Sequence, residues 1–279
     1  MAIDESKQAQ RKTSDSMPVR EKLANMFTKI MAGTITREEG TMLINDLAKG
    51  RYEDTIKELF FLIDNPPSGV FPKTIIHTIA LSRNKAFSKI MIASLEHKNA
   101  DVSILAAGEL GKQRTAEAKE VLREHLNSEA YHVRQASASA LIDGFGNDGI
   151  EVLKKHILTH HEPFYRSTSS QALLRAGREG IDCLISILNS GNPGAVATTA
   201  ASLSSAVPVL EREDIPKIFE ALMRAGDKKE TTTIIELLKI AGLLKSKAIG
   251  FDGYIRAFVD YPVMIVSDEA KKALKLIGC

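Results

Sequence analysis

His156 and His160, followed at once by His161 and Glu162, form the densest cluster of metal-ligating side chain types in this sequence. Two histidines four apart share one face of a helix and can hold a single ion between them. This makes His156 and His160 the candidate metal ligands. Hydrolysis at such a helix needs a glutamate directly after the first histidine as general base, and position 157 is Ile. Pro163 stops the helix beside the pair. Histidines in a last helical turn already have a structural use, because they complement the helix dipole. The expectation is a structural cluster with no metal and no bound cofactor.

The remaining chemistry-bearing types are sparse. No nucleophile-elbow pattern occurs, and no Ser or Cys stands in a recognisable catalytic context, so no catalytic residue is assigned and the chain is not expected to be an enzyme. Gly144-Phe145-Gly146-Asn147-Asp148-Gly149 has the glycine content of a phosphate loop. It has no Lys and no preceding strand, and it reads as a turn between helices. Of the two cysteines, Cys183 sits among Ile181, Leu184 and Ile185 and is expected to be buried, and Cys279 is the last residue. Basic residues gather at Lys112, Arg114, Lys119 and Arg123, with Lys154 and Lys155 one repeat on, but Glu117, Glu120 and Glu124 interleave with them. Overall, 37 Lys and Arg meet 35 Asp and Glu for a net charge of +2. That balance lacks the basic excess expected of phosphate-driven nucleic-acid binding. The absence of Trp disfavours a pocket for an extruded base.

The elements that carry these residues read as helices throughout. A leucine recurs at Leu47, Leu81, Leu110, Leu141, Leu173 and Leu203, then Ile240 and Leu274, at intervals between 29 and 37. Periods of this length mark stacked helical repeats. Most of these residues close a helix rich in small residues. Val102 precedes Ala106, Ala107 and Leu110, and Val133 precedes Ser137, Ala138, Ala140 and Leu141. Tyr165 precedes Ser169, Ala172 and Leu173, and Val266 precedes Ala270, Ala273 and Leu274. The alternate helices carry plain aliphatic stripes, such as Ile150, Leu153 and Ile157. The spacing predicts pairs at 71–82 with 85–97, 101–111 with 116–127, 132–143 with 148–159, and 164–175 with 179–189. Further pairs are expected at 194–206 with 215–225 and at 229–244 with 248–259, then a last helix at 263–277. Thr36 and Glu39 form a capping box at the start of the helix that ends at Gly50. Thr198, Thr199, Ser202, Ser204 and Ser205 make 194–206 unusually polar, which suits close helix approach.

At Val133-Arg134 and Tyr165-Arg166, with Ala-Leu closing at 140–141 and 172–173 and Asp101 before an opening helix, the chain resembles the HEAT-repeat family in its short bacterial-type form. The resemblance covers about residues 36–277. It departs at Ser103, where the Arg is missing, and at Val207-Pro208-Val209, where a connection lengthens. It implies an all-α solenoid, a right-handed superhelix of antiparallel helix pairs whose Arg and Asp ladders are structural. It also implies a protein-binding scaffold. Within the family, similar repeats occur in bilin lyases and in di-iron hydroxylases that repeat a His-Glu pair. Only one such pair, at 161–162, is present here. The expected organisation is a polar leader over 1–16, an N-terminal helical cap and the start of the first repeat over 17–50, and one repeat array over 51–279. Lys271, Lys272 and Lys275 suit the polar outer side of a terminal helix. The expected partner is another protein, met on a concave face lined by second helices and touched by Lys119, Arg123, Lys154 and Lys155. No run is apolar enough to span a bilayer and no secretory leader precedes the helices, so a cytoplasmic chain without a membrane partner is expected.

Overall fold

The computed structural model describes residues 17–82, 84 and 87–278. The leader expected over 1–16 and the terminal Cys279 lie outside these residues. Among the described residues there are sixteen α-helices and no strand, the all-α solenoid class expected from the period. The chain divides into two compact units, one up to Leu110 and one from Gly111 onward.

The first unit contains α1 (Val19–Met31), α2 (Arg37–Gly50), α3 (Tyr52–Asp64), α4 (Pro72–Leu81) and α5 (Ser88–Ser94). The boundary falls within α6 (Ala100–Gln113). The capping box forms as read: Glu39 N–H donates to Thr36 Oγ1 at 3.1 Å, and Thr36 N–H donates to the Glu39 carboxylate at 2.7 Å. Helix α1 packs on α3, and α2 packs on α4. Arg20 joins the first pair through Glu58 at 2.5 Å and lies 3.8 Å from the centre of the Phe61 ring.

The second unit contains α7 (Ala116–Glu124), α8 (Tyr131–Phe145), α9 (Asn147–Thr159), α10 (Pro163–Arg175), α11 (Arg178–Ile187), α12 (Pro193–Leu203), α13 (Asp214–Asp227), α14 (Thr231–Leu244), α15 (Asp252–Arg256) and α16 (Met264–Ile277). Helices α8, α10, α12, α14 and α16 stack in succession as the first helices of their layers. Helices α9, α11, α13 and α15 run beside them as second helices, each packed on the next. The small residues do what their size permits. Ala138, Ala140, Ala172, Ala195 and Ala200 are buried in the first helices, and a Cβ added at Gly242 of α14 would lie 3.1 Å from the Ala273 Cα of α16, so these backbones come close. An added Cβ on Gly180 would lie 1.8 Å from the Leu173 carbonyl oxygen, so this turn of α11 fits against α10 only with a glycine.

Three expectations need correction. The recurring leucine is buried at Leu110, Leu141, Leu173 and Leu203, and also at Ile240 and Leu274. Leu81, however, is 40% exposed and Leu47 only half-buried. In α2 and α4 the buried stripe is instead Gly40, Ile44 and Ala48, then Ile75, Ile76 and Ile79. The helix expected over 248–259 shrinks to α15, because a 3₁₀ turn over Lys245–Ala248 precedes it and Gly250 turns through φ +93°. The polar helix over 194–206 stops at Leu203 and passes into a 3₁₀ turn, Ser204–Val209, around Pro208.

Candidate functional site

A hydrogen-bonding unit recurs in the connections that lead into first helices. A side chain accepts the backbone N–H two residues on: His97 from Asn99 at 3.0 Å, Ser128 from Ala130 at 3.3 Å, His160 from Glu162 at 3.0 Å and Ser190 from Asn192 at 3.3 Å. The carbonyl of the same residue takes a bond from the side chain six on. Ser103 Oγ donates to His97 O at 3.0 Å, Arg134 Nη1 to Ser128 O at 2.7 Å and Arg166 Nε to His160 O at 2.6 Å. Ser103, where the expected Arg is missing, thus keeps the bond with a hydroxyl. His160 holds the place that serine holds at 128 and 190. Its Nδ1 is an acceptor there, so its role is to shape a turn.

His156 is equally committed. Its ring nitrogens lie 2.8 Å from Ser169 Oγ and 3.2 Å from Asn127 Oδ1, which joins three segments of the unit. Burial, then the neighbouring His160 and Arg123, push its pKa down to about 4. The His156 and His160 rings are 5.1 Å apart, and His160 is held in turn 4.5 Å from Tyr165. His161 is exposed. No group of three or more His, Cys, Asp or Glu among the described residues is placed to hold an ion. The candidate ligands His156 and His160 are brought together, but as packing and hydrogen-bonding groups.

The four basic residues expected to bind a partner divide. Lys119 Nζ bonds Asp148 of the next second helix at 2.7 Å, and its bond and charge hold the Asp148 carboxyl below its usual range. Arg123 pairs with Glu120 on its own helix. Lys154 is half-buried, with its field reaching Cys183, and Lys155 is exposed. Cys183 is buried and free as expected, and burial pushes its thiol up to about 11. The strongest ionic clamp was not anticipated. Arg178 of α11 donates twice, at 2.8 Å each, to Asp214 of α13, which has no exposed surface. The Glu211 N–H adds a third bond to that carboxylate at 2.9 Å. Burial raises the Asp214 pKa, but these bonds and the guanidinium charge outweigh it, and the net shift is downward.

One surface combines exposed rings with a buried cation. Tyr131 and Phe164, at the first turns of α8 and α10, are each 51% exposed. They flank Arg134, which is only 4% exposed. The Arg134 guanidinium lies 5.6 Å from the Tyr131 ring centre, 5.1 Å from Phe164 and 4.7 Å from Tyr165. Its Nη1 is bonded to the Ser128 and Glu129 carbonyls, and its Nε is buried without an acceptor. A buried donor left unmade costs about 1–3 kcal/mol, and the three rings offset part of that through cation–π attraction.

The sequence profile of HEAT repeats matches twice, over residues 56–142 and 88–174. Residues 56–174 thus carry HEAT repeats. No curated protein matches it. Among solved structures, this chain is similar to human deoxyhypusine hydroxylase in complex with glycerol, at 15% identity over 94% of this chain and 98% of that one, with a TM-score of 0.37. It is also similar to two engineered proteins. One is 18% identical over 92% of this chain and 78% of that one, with a TM-score of 0.38. The other is 17% identical over 85% and 95%, with a TM-score of 0.31.

Proposed function

We propose that this chain is a non-enzymatic scaffold that captures another protein on its surface. The observation that carries the reading is the pair Tyr131 and Phe164, large rings left half in water in the first turns of consecutive first helices, on either side of one buried guanidinium. Apolar surface of this kind is interface material, and aromatic residues dominate binding energy when a partner covers them. The second-helix surface with Lys119, Arg123, Lys154 and Lys155 is the other candidate face. Lys119 and Arg123 are engaged by Asp148 and Glu120, so a partner there would compete with bonds already made. No helix among the described residues is long and apolar enough to cross a membrane.

The test is affinity purification of the tagged full chain from its native cell, with quantitative mass spectrometry. Three baits are compared: the wild type, the double variant Tyr131→Ser/Phe164→Ser, and the double variant Lys154→Glu/Lys155→Glu. A protein enriched by the wild type and lost with either variant supports the scaffold and names its face. Recovery of the same proteins by all three baits refutes it.

A further inference from the structure

We propose that the first turns of α8 and α10 form a docking site for an acidic peptide segment, in which a partner carboxylate reaches Arg134 and an adjacent apolar residue lies on Tyr131 and Phe164. The inference rests on the scaffold reading and deepens it by naming the surface and the partner's chemistry. Its basis is a charge without a counter-charge. Arg134 is nine-tenths and more buried, its Nε has no acceptor, and among the described residues no carboxylate pairs with it. The bonds it does make go to backbone carbonyls and aromatic faces, which solvate a cation without neutralising it. Glu129 and Glu162 stand in the flanking connections, exposed to water and unpaired with this guanidinium. The α8 N-terminus adds partial positive charge beside Tyr131, its first residue. His132, the next residue, has a second buried ring nitrogen without a partner.

The geometry also sets how the site is entered. The two rings over the guanidinium are the exposed ones, so a side-chain rotation of Phe164 or Tyr131 uncovers it without moving a helix. A guanidinium then offers a carboxylate paired donors, and charge-assisted bonds of this kind are the strong ones. The rings displaced from the cation become an apolar shelf for the neighbouring side chain. The predicted ligand is therefore short, extended and acidic, with an aliphatic or aromatic residue beside the carboxylate.

The experiment selects a random dodecapeptide display library on the full chain. Enriched sequences are then measured by fluorescence polarisation at two salt concentrations. Asp or Glu next to an apolar residue is expected in the enriched set. Affinity should fall at least tenfold in Tyr131→Ser/Phe164→Ser, measured well below a melting temperature that loss of the two cation–π contacts lowers modestly, with circular dichroism confirming a wild-type helical fold. Arg134→Lys, which keeps the charge but loses the planar fork, should weaken binding while its salt dependence stays close to that of the wild type. Enriched peptides without acidic residues, or peptides whose binding survives the double substitution, overturn the site while leaving the scaffold reading intact. Absence of any enriched peptide also overturns it. So does capture of a single-stranded oligonucleotide that the double variant loses, which would reassign the rings to base stacking.

Discussion

Replacing Asp214 by Asn tests the clamp between α11 and α13. The substitution keeps the shape and removes the charge. Asp214 is fully buried and accepts two bonds from Arg178 and one from the Glu211 N–H. Removing one partner of a buried pair costs about 3–5 kcal/mol when the other is left stranded. Arg178 is not stranded. Its side chain is 32% exposed and it retains a 2.5 Å bond to Asp182. The asparagine oxygen can still accept one bond, while its NH2 faces another donor. The expected loss is therefore about 2–3 kcal/mol at neutral pH, near the value of one to two hydrogen bonds to charged groups. In a unit of this size that lowers the melting temperature by roughly 5–10 °C. The pH dependence checks the cause. The folded pKa of Asp214 is depressed, so its contribution is present above the unfolded value of about 4 and is lost as pH falls through the lower folded value. Melts followed by far-UV circular dichroism at pH 7 and near pH 3 should show the gap between wild type and variant closing at the acid end. A neutral-pH drop under 2 °C, or a gap of constant size across the series, would refute the reasoning.

Other perturbations separate local causes. Lys245 adopts φ 49°, ψ −126°, the conformation of Gly146 at φ 53°, ψ −124°, so Lys245→Gly should stabilise by about 1 kcal/mol while Lys245→Ala should not. Differential scanning calorimetry of the two variants decides it. Gly180→Ala places a Cβ 1.8 Å from the Leu173 carbonyl and should cost about 2–3 kcal/mol in chemical denaturation. Leu141→Ala should cost about 2–5 kcal/mol and Leu81→Ala under about 1, because the first is fully buried and the second 40% exposed. His156 is held neutral with a pKa near 4, so folding stability is whole above the unfolded value of about 6.5 and declines as pH falls from there towards 4. His156→Gln should flatten that decline, as melts at pH 7 and pH 5 would show.

Periodicity is legible where each position does one job. Val133, Ala140 and Leu141 read as a buried stripe because they are one, and the same template holds at Val266, Ala273 and Leu274. It fails in α2 and α4, where a leucine occupies the right interval but the buried turn is Ile44 or Ile79, two or three residues earlier. A leucine cannot reveal which side of its helix faces inward unless its neighbours three and four away agree. The candidate site was legible only in its residue types. Lys119 looked like one of a mixed charged set with Glu117 and Glu120, yet its partner is Asp148, 29 residues on. Arg178 and Asp214 are 36 apart, and nothing in either neighbourhood announces the pairing. His160 looked like half of a metal pair because composition records an imidazole and not the backbone N–H it accepts. The signal that could have found its role is the interval itself. His97, Ser128, His160 and Ser190 are spaced like the leucine from Leu110 to Leu203, so the residue belongs to the repeat's own turn. Some of what surrounds this turn lies beyond what the repeat needs. Arg134 and Arg166 share the turn-binding role, but only Arg134 sits beneath two exposed rings, and that excess over the repeat's requirement is where recognition by a partner has room to act.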